Sequence, residues 1–241
     1  METSQTAEET AVEGFTLPGW LATAFKVYVI AALPLALVLL NARLLMNEPF
    51  LRWEYNRPGF SPDPFGMTTE ERLTYGPLAL AYLFNAEDID FLGDQTFTDG
   101  SPLYDERELS HMHDVKEVTQ MLMNVGIVVI SLLVLSIVAL ARRPDTYPHL
   151  QAALFQGGVL TVGLLIALTV FVALSFNTFF VQFHALFFEG NSWVFRYSDT
   201  LIRLFPEQFW IDAFVLLFGG AIVEALVIGG AAWWWGRRLL G

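Results

Sequence analysis

The sequence predicts an all-α integral membrane protein: four transmembrane helices with a long helical extracytoplasmic loop. Three observations carry that prediction. Of 241 residues, 54% are hydrophobic and only 16% charged, with a mean hydropathy of +0.48; an average soluble domain carries roughly 25% charged residues. Four apolar stretches are each long enough to cross the ~30 Å hydrocarbon core, which takes ~20 helical residues. The acidity is confined: 46–117 holds fifteen acids against five bases, a net of −10 in a chain whose total is −12. Disorder, a basic nucleic-acid-binding face and an ordinary soluble globule are excluded on this composition. Cysteine is absent, which excludes disulfides, thiolate metal sites and a cysteine nucleophile.

Residues 1–22 read as an acidic polar tail, and 23–241 as one four-span domain. METSQTAEETAVEG is acidic where a secretory n-region is basic, so the first span is expected to be retained. That span covers about 23–45. Lys26 can snorkel from its end, and Pro34 is expected to kink it. The others cover about 120–141, 152–181 and 209–235, with outer loops at 46–119 and 182–208. Lys26, Arg142, Arg143, Arg237 and Arg238 fall on one side together with both termini. They favour a cytoplasmic placement for that side and an outward placement for the acidic loop.

More than 70 structureless residues are improbable in a compact protein, so the long loop is expected to fold. RPGFSPDPFG is turn chemistry. MTTEERLTYGPLALAYLF reads as a helix capped by Thr68 or Thr69, with Glu70 and Glu71 in its first turn. A second helix starts near Asp105 and runs into the second span without a breaker.

Candidate chemistry concentrates on the histidines. Arg107, His111 and Asp114 fall at i, i+4 and i+7 and share one helix face. Arg107 or Asp114 can orient the His111 imidazole and set its pKa. His113 leaves that face, and His149 lies in the short turn on the opposite side. His184 sits among Phe179, Phe180, Phe183, Phe187 and Phe188, packing that excludes water and keeps a histidine neutral, as a base requires. The same residues also fit a solvated interfacial helix and an aromatic membrane belt. Downstream, Trp193, Tyr197 and Trp210 fit interfacial anchoring, while Asp199, Arg203, Glu207 and Asp212 can pair with the other loop or with a headgroup. Glu224 lies inside the fourth span, in GGAIVEALVIGG. An intramembrane carboxylate is a functional candidate, although the small residues around it equally fit tight helix packing.

There is no H-E-x-x-H, Walker loop, GxGxxG or G-x-S-x-G pattern. The reading therefore contains no metal, no cofactor and no nucleic acid. It leaves histidine acid/base chemistry at a lipid-accessible outer site.

Two segments, NAEDIDFLGDQTF…LYDERELSHMHDVKEV and FVQFHALFFEGNSWVFRYSDTLIRLFPEQFW, resemble the lipoprotein intramolecular transacylases (the Lit family) of bacterial membranes. The resemblance runs from about residue 22 to 235. It implies a multi-pass protein of the bacterial cytoplasmic membrane whose site faces the extracytoplasmic side. Its substrate would be a lipoprotein bearing a diacylglyceryl-cysteine N-terminus, met among membrane lipids. The implied reaction moves the sn-2 acyl chain from glycerol to the cysteine α-amine and leaves a lyso-form lipoprotein. His111 and His184 would be the catalytic pair, with His184 as base and His111 as donor. Asp114 would raise the pKa of His111, and Arg107 would orient it or stabilise the oxyanion. Trp193, Asp199, Phe183 and Phe187 would line the substrate. A lipid or lipoprotein ester hydrolase on the same scaffold, and a non-catalytic membrane binding or assembly protein, are the rival readings.

Overall fold

A computed structural model describes residues 17–188, 190 and 192–239. The expectation for the acidic tail lies largely outside them. Four long helices are apolar and long enough to span a membrane: α1 (Gly19–Leu45), α5 (Glu106–Ala141), α6 (Tyr147–Leu174) and α9 (Glu207–Leu239). Among the described residues there is no strand, only an isolated bridge between Thr96 and Pro102. The protein is an all-α membrane protein with four spans.

α1 is the central helix and packs against α5, α6 and α9. Its buried face, Val29, Ala32, Leu33, Ala36 and Leu37, includes small side chains that let its neighbours approach. Pro34 lies within α1 and is buried too. α6 and α9 meet at glycines. A Cβ on Gly158 would stand 2.8 Å from the Ala225 carbonyl oxygen and 3.0 Å from Gly229 Cα. Such backbone proximity is how helices associate in lipid, where apolar side chains gain nothing by leaving hydrocarbon. The outward faces stay apolar, with Ile127, Leu135, Val215 and Val227 at 59–66% exposure. That surface suits acyl chains rather than water.

Between α1 and α5 the acidic segment forms a cap with a core of its own. Besides the start of α5 it holds α2 (Glu48–Asn56), α3 (Thr69–Tyr82) and the single turn α4 (Asp90–Gly93). The sequence reading had one helix there before α5. α2 escaped it because nine mostly polar residues show little periodicity. Its signals are local: the Asn47 side chain accepts from Phe50 N–H, and a proline sits in the first turn. Thr68, one of the two candidate caps, forms a reciprocal capping box with Glu71 and starts α3. Tyr75, Tyr82, Leu92, Leu103 and Met112 are buried together in the cap. Asp63 and Arg203 pair at 3.0 Å, and Arg72 donates to the carbonyls of Arg203 and Ser61. Arg57 pairs with Asp212. The cap is thereby fastened to α8 (Thr200–Leu204) and to the first turns of α9.

The third apolar stretch departs from expectation. The run expected over 152–181 is broken at Ser175, whose φ of −156° and ψ of 68° end α6. A separate helix, α7 (Phe176–Phe187), follows. Ser175 Oγ donates to Thr178 Oγ1 at 2.6 Å, the kind of local side-chain bonding that competes with helix continuation. The break frees the direction of α7, the helix that carries His184, from that of α6.

Candidate active site

His111 is placed by the start of α5. Asp105 accepts from Glu108 N–H, and Glu108 accepts in return from Asp105 N–H at 2.9 Å, a complete capping box. The other oxygen of Glu108 accepts from Leu201 N–H at 2.8 Å, and Thr200 Oγ1 donates to the Leu103 carbonyl. One buried carboxylate thus starts α5 and holds α8 against it. His111, one turn later, is buried at 7% exposure. Its ring lies 4.9 Å from Phe188 and 5.2 Å from Phe195, centroid to centroid. Among the described residues its Nδ1 is buried and has no hydrogen-bond partner.

His184 approaches from the last turn of α7. The two imidazole centroids are 6.0 Å apart and their planes 26° from parallel. Phe180 lies tilted against His184 at 3.9 Å, as do Trp193 at 5.1 Å and Phe188 at 5.6 Å, and Phe183 meets it edge-on at 5.7 Å. His184 Nδ1 lies 2.8 Å from the Phe180 carbonyl oxygen. A carbonyl only accepts, so Nδ1 carries the proton and Nε2 the lone pair. Burial pushes the His184 pKa below its ordinary value, against the weaker opposite pull of the Phe180 carbonyl. It is therefore a neutral imidazole with a free lone pair at neutral pH.

Arg107 stands behind this pair. Its guanidinium donates to Asp199 at 2.7 Å, to Asp105 at 3.2 Å and to the Val194 carbonyl at 3.3 Å, and it lies over the Phe195 ring. Asp199 also accepts from Arg196 N–H at 2.8 Å. Phe195 lies between Arg107 and His111: the guanidinium sits over its ring at 5.4 Å, and the ring meets His111 edge-on at 5.2 Å.

Asp114 differs from expectation. Its ion contact is with the exposed His113, at 3.8 Å, and among the described residues it makes no hydrogen bond or ion pair with His111. Shared helix face does not amount to contact here, because His111 turns inward while Asp114 stays half-solvated. Phe183 packs on His184, and Phe187 lies one ring further out, 5.0 Å from Phe183. Sequence reasoning missed Phe195 and Glu108. The first carries no local signal. The second is readable as the fourth residue of the D-x-x-E capping pattern. Two clefts of about 340 and 520 Å³ lie on the cap, and neither is lined by a histidine of the pair. Among the described residues no group of three or more His, Asp or Glu side chains forms a metal site.

Residues 27–210 match the family model of the lipoprotein intramolecular transacylase Lit. The chain belongs to the lipoprotein intramolecular transacylase family. Its members are acyltransferases, and this chain is an enzyme of that class acting on lipoproteins. An uncharacterized protein of Aquifex aeolicus (strain VF5) is 31% identical over 196 residues, covering 79% of this chain and 87% of that one. The membrane-integral Lit of Bacillus cereus shares the fold, with a TM-score of 0.71 at 21% identity over 92% of this chain and 97% of that structure. A structure of the same protein with a histidine replaced by arginine superposes with a TM-score of 0.68 over 92% and 96%. The family assignment sets aside the non-catalytic binding-protein reading.

Proposed function

We propose that this transacylase moves the sn-2 acyl chain of a diacylglyceryl lipoprotein onto the α-amine of its N-terminal cysteine. The observation that carries the reading is the facing of His111 and His184 at 6.0 Å in an aromatic setting. The site belongs at the extracytoplasmic surface, because Arg142, Arg143, Arg237 and Arg238 gather at the opposite end of the helices.

In the first step the neutral amine attacks the ester carbonyl carbon. A C–N bond forms, the carbonyl π pair moves to oxygen, and His184 Nε2 takes a proton from the nitrogen. The oxyanion then collapses. The C–O bond to glycerol breaks, and the departing sn-2 oxygen receives a proton through His111. His111 gives its proton to that oxygen as it accepts the one His184 took from the amine, so both rings end as they began. Ester and amine become amide and alcohol, with nothing else consumed. Both reacting groups sit on one molecule, and holding them in attack geometry supplies part of the acceleration. Trp193 and Asp199 form the wall opposite α5, while Phe183 and Phe187 offer acyl-compatible surface.

The test is mass spectrometry of a reporter lipoprotein N-terminus, with and without this protein. An N-acylated lyso-form is expected. Released fatty acid beside a free amine would replace this reading with the hydrolase, in which water takes the place of the amine.

A further inference from the structure

We propose that the indole N–H of Trp193 is the oxyanion donor of this site, a role that rests on the transacylase reading and extends it. The reaction builds a full negative charge on the former carbonyl oxygen, and preorganised donors in a dry site are what stabilise such a charge. Arg107 is the evident cation nearby, but its guanidinium is engaged by Asp199, Asp105 and the Val194 carbonyl. The donor must therefore be sought elsewhere.

Buried side-chain polar atoms without partners are rare, and each calls for a reason. Among the described residues, three of the few that occur belong to this site: His111 Nδ1, Ser192 Oγ and Trp193 Nε1. The first is a ring nitrogen of the proposed acid–base pair. Trp193 Nε1 can only donate, so it can be satisfied only by an incoming acceptor. It is carried on a ring 5.1 Å from His184, the base that starts the reaction. Ser192, the preceding residue, adds an unpartnered hydroxyl to the same turn.

The turn is also held in place before substrate arrives. Arg107 grips the Val194 carbonyl, and Asp199 accepts from Arg196 N–H while pairing with Arg107. A donor fixed in this way needs no reorganisation when the charge appears. As the acyl C=O opens to the tetrahedral intermediate, its oxygen accepts from Nε1–H. When the C=O re-forms, the bond to the sn-2 oxygen breaks and the hydrogen bond weakens again.

The experiment uses purified full-length protein in detergent and a synthetic diacylglyceryl-cysteinyl peptide, with N-acylation followed by mass spectrometry. Trp193→Phe keeps an aromatic ring and removes the N–H. It should lower kcat by about 10²–10³-fold, the usual effect of deleting one oxyanion donor, with KM within about threefold of wild type. If that variant does not fold, 3-benzothienylalanine at position 193 keeps the bicycle with sulfur in place of N–H, and the same loss is expected. Activity within about threefold of wild type in either variant overturns the proposal, as does a loss confined to KM. His111→Ala and His184→Ala run beside them. If these are dead while Trp193→Phe is fully active, only the donor role falls. If they retain wild-type rates, the acid–base pair falls and takes the donor role with it.

Discussion

Arg107 Nη2 donates to Asp199 Oδ2 at 2.7 Å, joining residues 92 positions apart in the chain. The two side chains are 37% and 12% exposed. Arg107 is half-solvated, which screens the pair, while Asp199 is largely enclosed and also accepts from Arg196 N–H. The consequence of the pair is positional: it holds the 193–199 turn against the first turn of α5. Asp199→Ala should therefore cut transacylation about 10²-fold, the penalty of a misplacement near 1 Å, with only a small fall in melting temperature. Arg107→Lys should do nearly the same, since lysine lacks the planar fork that serves two acids and a carbonyl at once. Initial rates of N-acyl product and a double-mutant cycle check this, and the double variant should be little worse than either single.

The facing imidazoles make a second expectation. His111→Ala and His184→Ala should each lower activity by about 10²–10⁴-fold, and the double variant should add little to either. His113→Ala and Asp114→Asn should stay within about twofold of wild type, because His113 is exposed, Asp114 is half-solvated, and their ion contact is with each other rather than with His111. The readout is the N-terminal peptide of a reporter lipoprotein at matched expression. A loss beyond about tenfold in Asp114→Asn would restore its role as partner of His111.

The pH dependence follows from the direction of the His184 shift. Burial lowers its pKa from the ordinary 6.5, so it remains a competent base as pH falls through 6.5. The substrate α-amine has an ordinary pKa near 7.7–8.0 and must also be neutral to attack. Log kcat/KM should therefore fall with a slope of about one from pH 7.5 to 6.5, steepening toward two only below 6.5. Protonating His184 also opposes folding: a depressed native pKa gives stability that is full above 6.5 and lost as pH falls through the native value. In His184→Ala the lower steepening should vanish from the residual rate. A slope of two already at pH 7 would contradict a half-buried, neutral His184.

Much of this was legible in the sequence, for physical reasons that differ between elements. Four apolar runs declare themselves because a bilayer demands length and composition together. α5 is legible from cap to end, since Asp105 and Glu108 write its start and no breaker follows. The bend at Ser175 is not, because the residues on both sides stay apolar and only the local Ser175–Thr178 contact marks it. The partner of Arg107 is legible in part: Asp199 reads as able to pair with the other loop, but nothing in the sequence picks out Arg107, 92 residues earlier, as the base it meets. The histidines were singled out by their neighbours, whereas their facing depends on a helix break and a turn that periodicity does not encode.

The last prediction concerns Glu224, the carboxyl inside the fourth span. Asn41 Nδ2 donates to Glu224 Oε2 at 2.8 Å and to the Leu37 carbonyl at 2.9 Å, joining α9 to α1. Gly220 makes the room, since a Cβ there would stand 2.5 Å from Asn41 Oδ1. Glu224→Gln keeps an oxygen that can accept from Asn41 and removes any charge, so activity and thermal stability should both stay near wild type. Glu224→Leu leaves the Asn41 amide with one acceptor fewer in an apolar setting, at a cost of about 1–3 kcal/mol. Gly220→Ala should act from the other side, by driving Asn41 from its place; overpacking of this kind costs about 1–3 kcal/mol. The two imidazoles are packed by Phe180, Phe188, Trp193 and Phe195 rather than by Asn41, Gly220 or Glu224, so in both destabilised variants activity per folded molecule should persist below the new melting point. Thermal melts in detergent, paired with initial rates of N-acylation, separate the two quantities. A Glu224→Gln variant that melts normally yet loses activity more than about tenfold would show that the carboxyl acts in the reaction, and would overturn its assignment to helix packing.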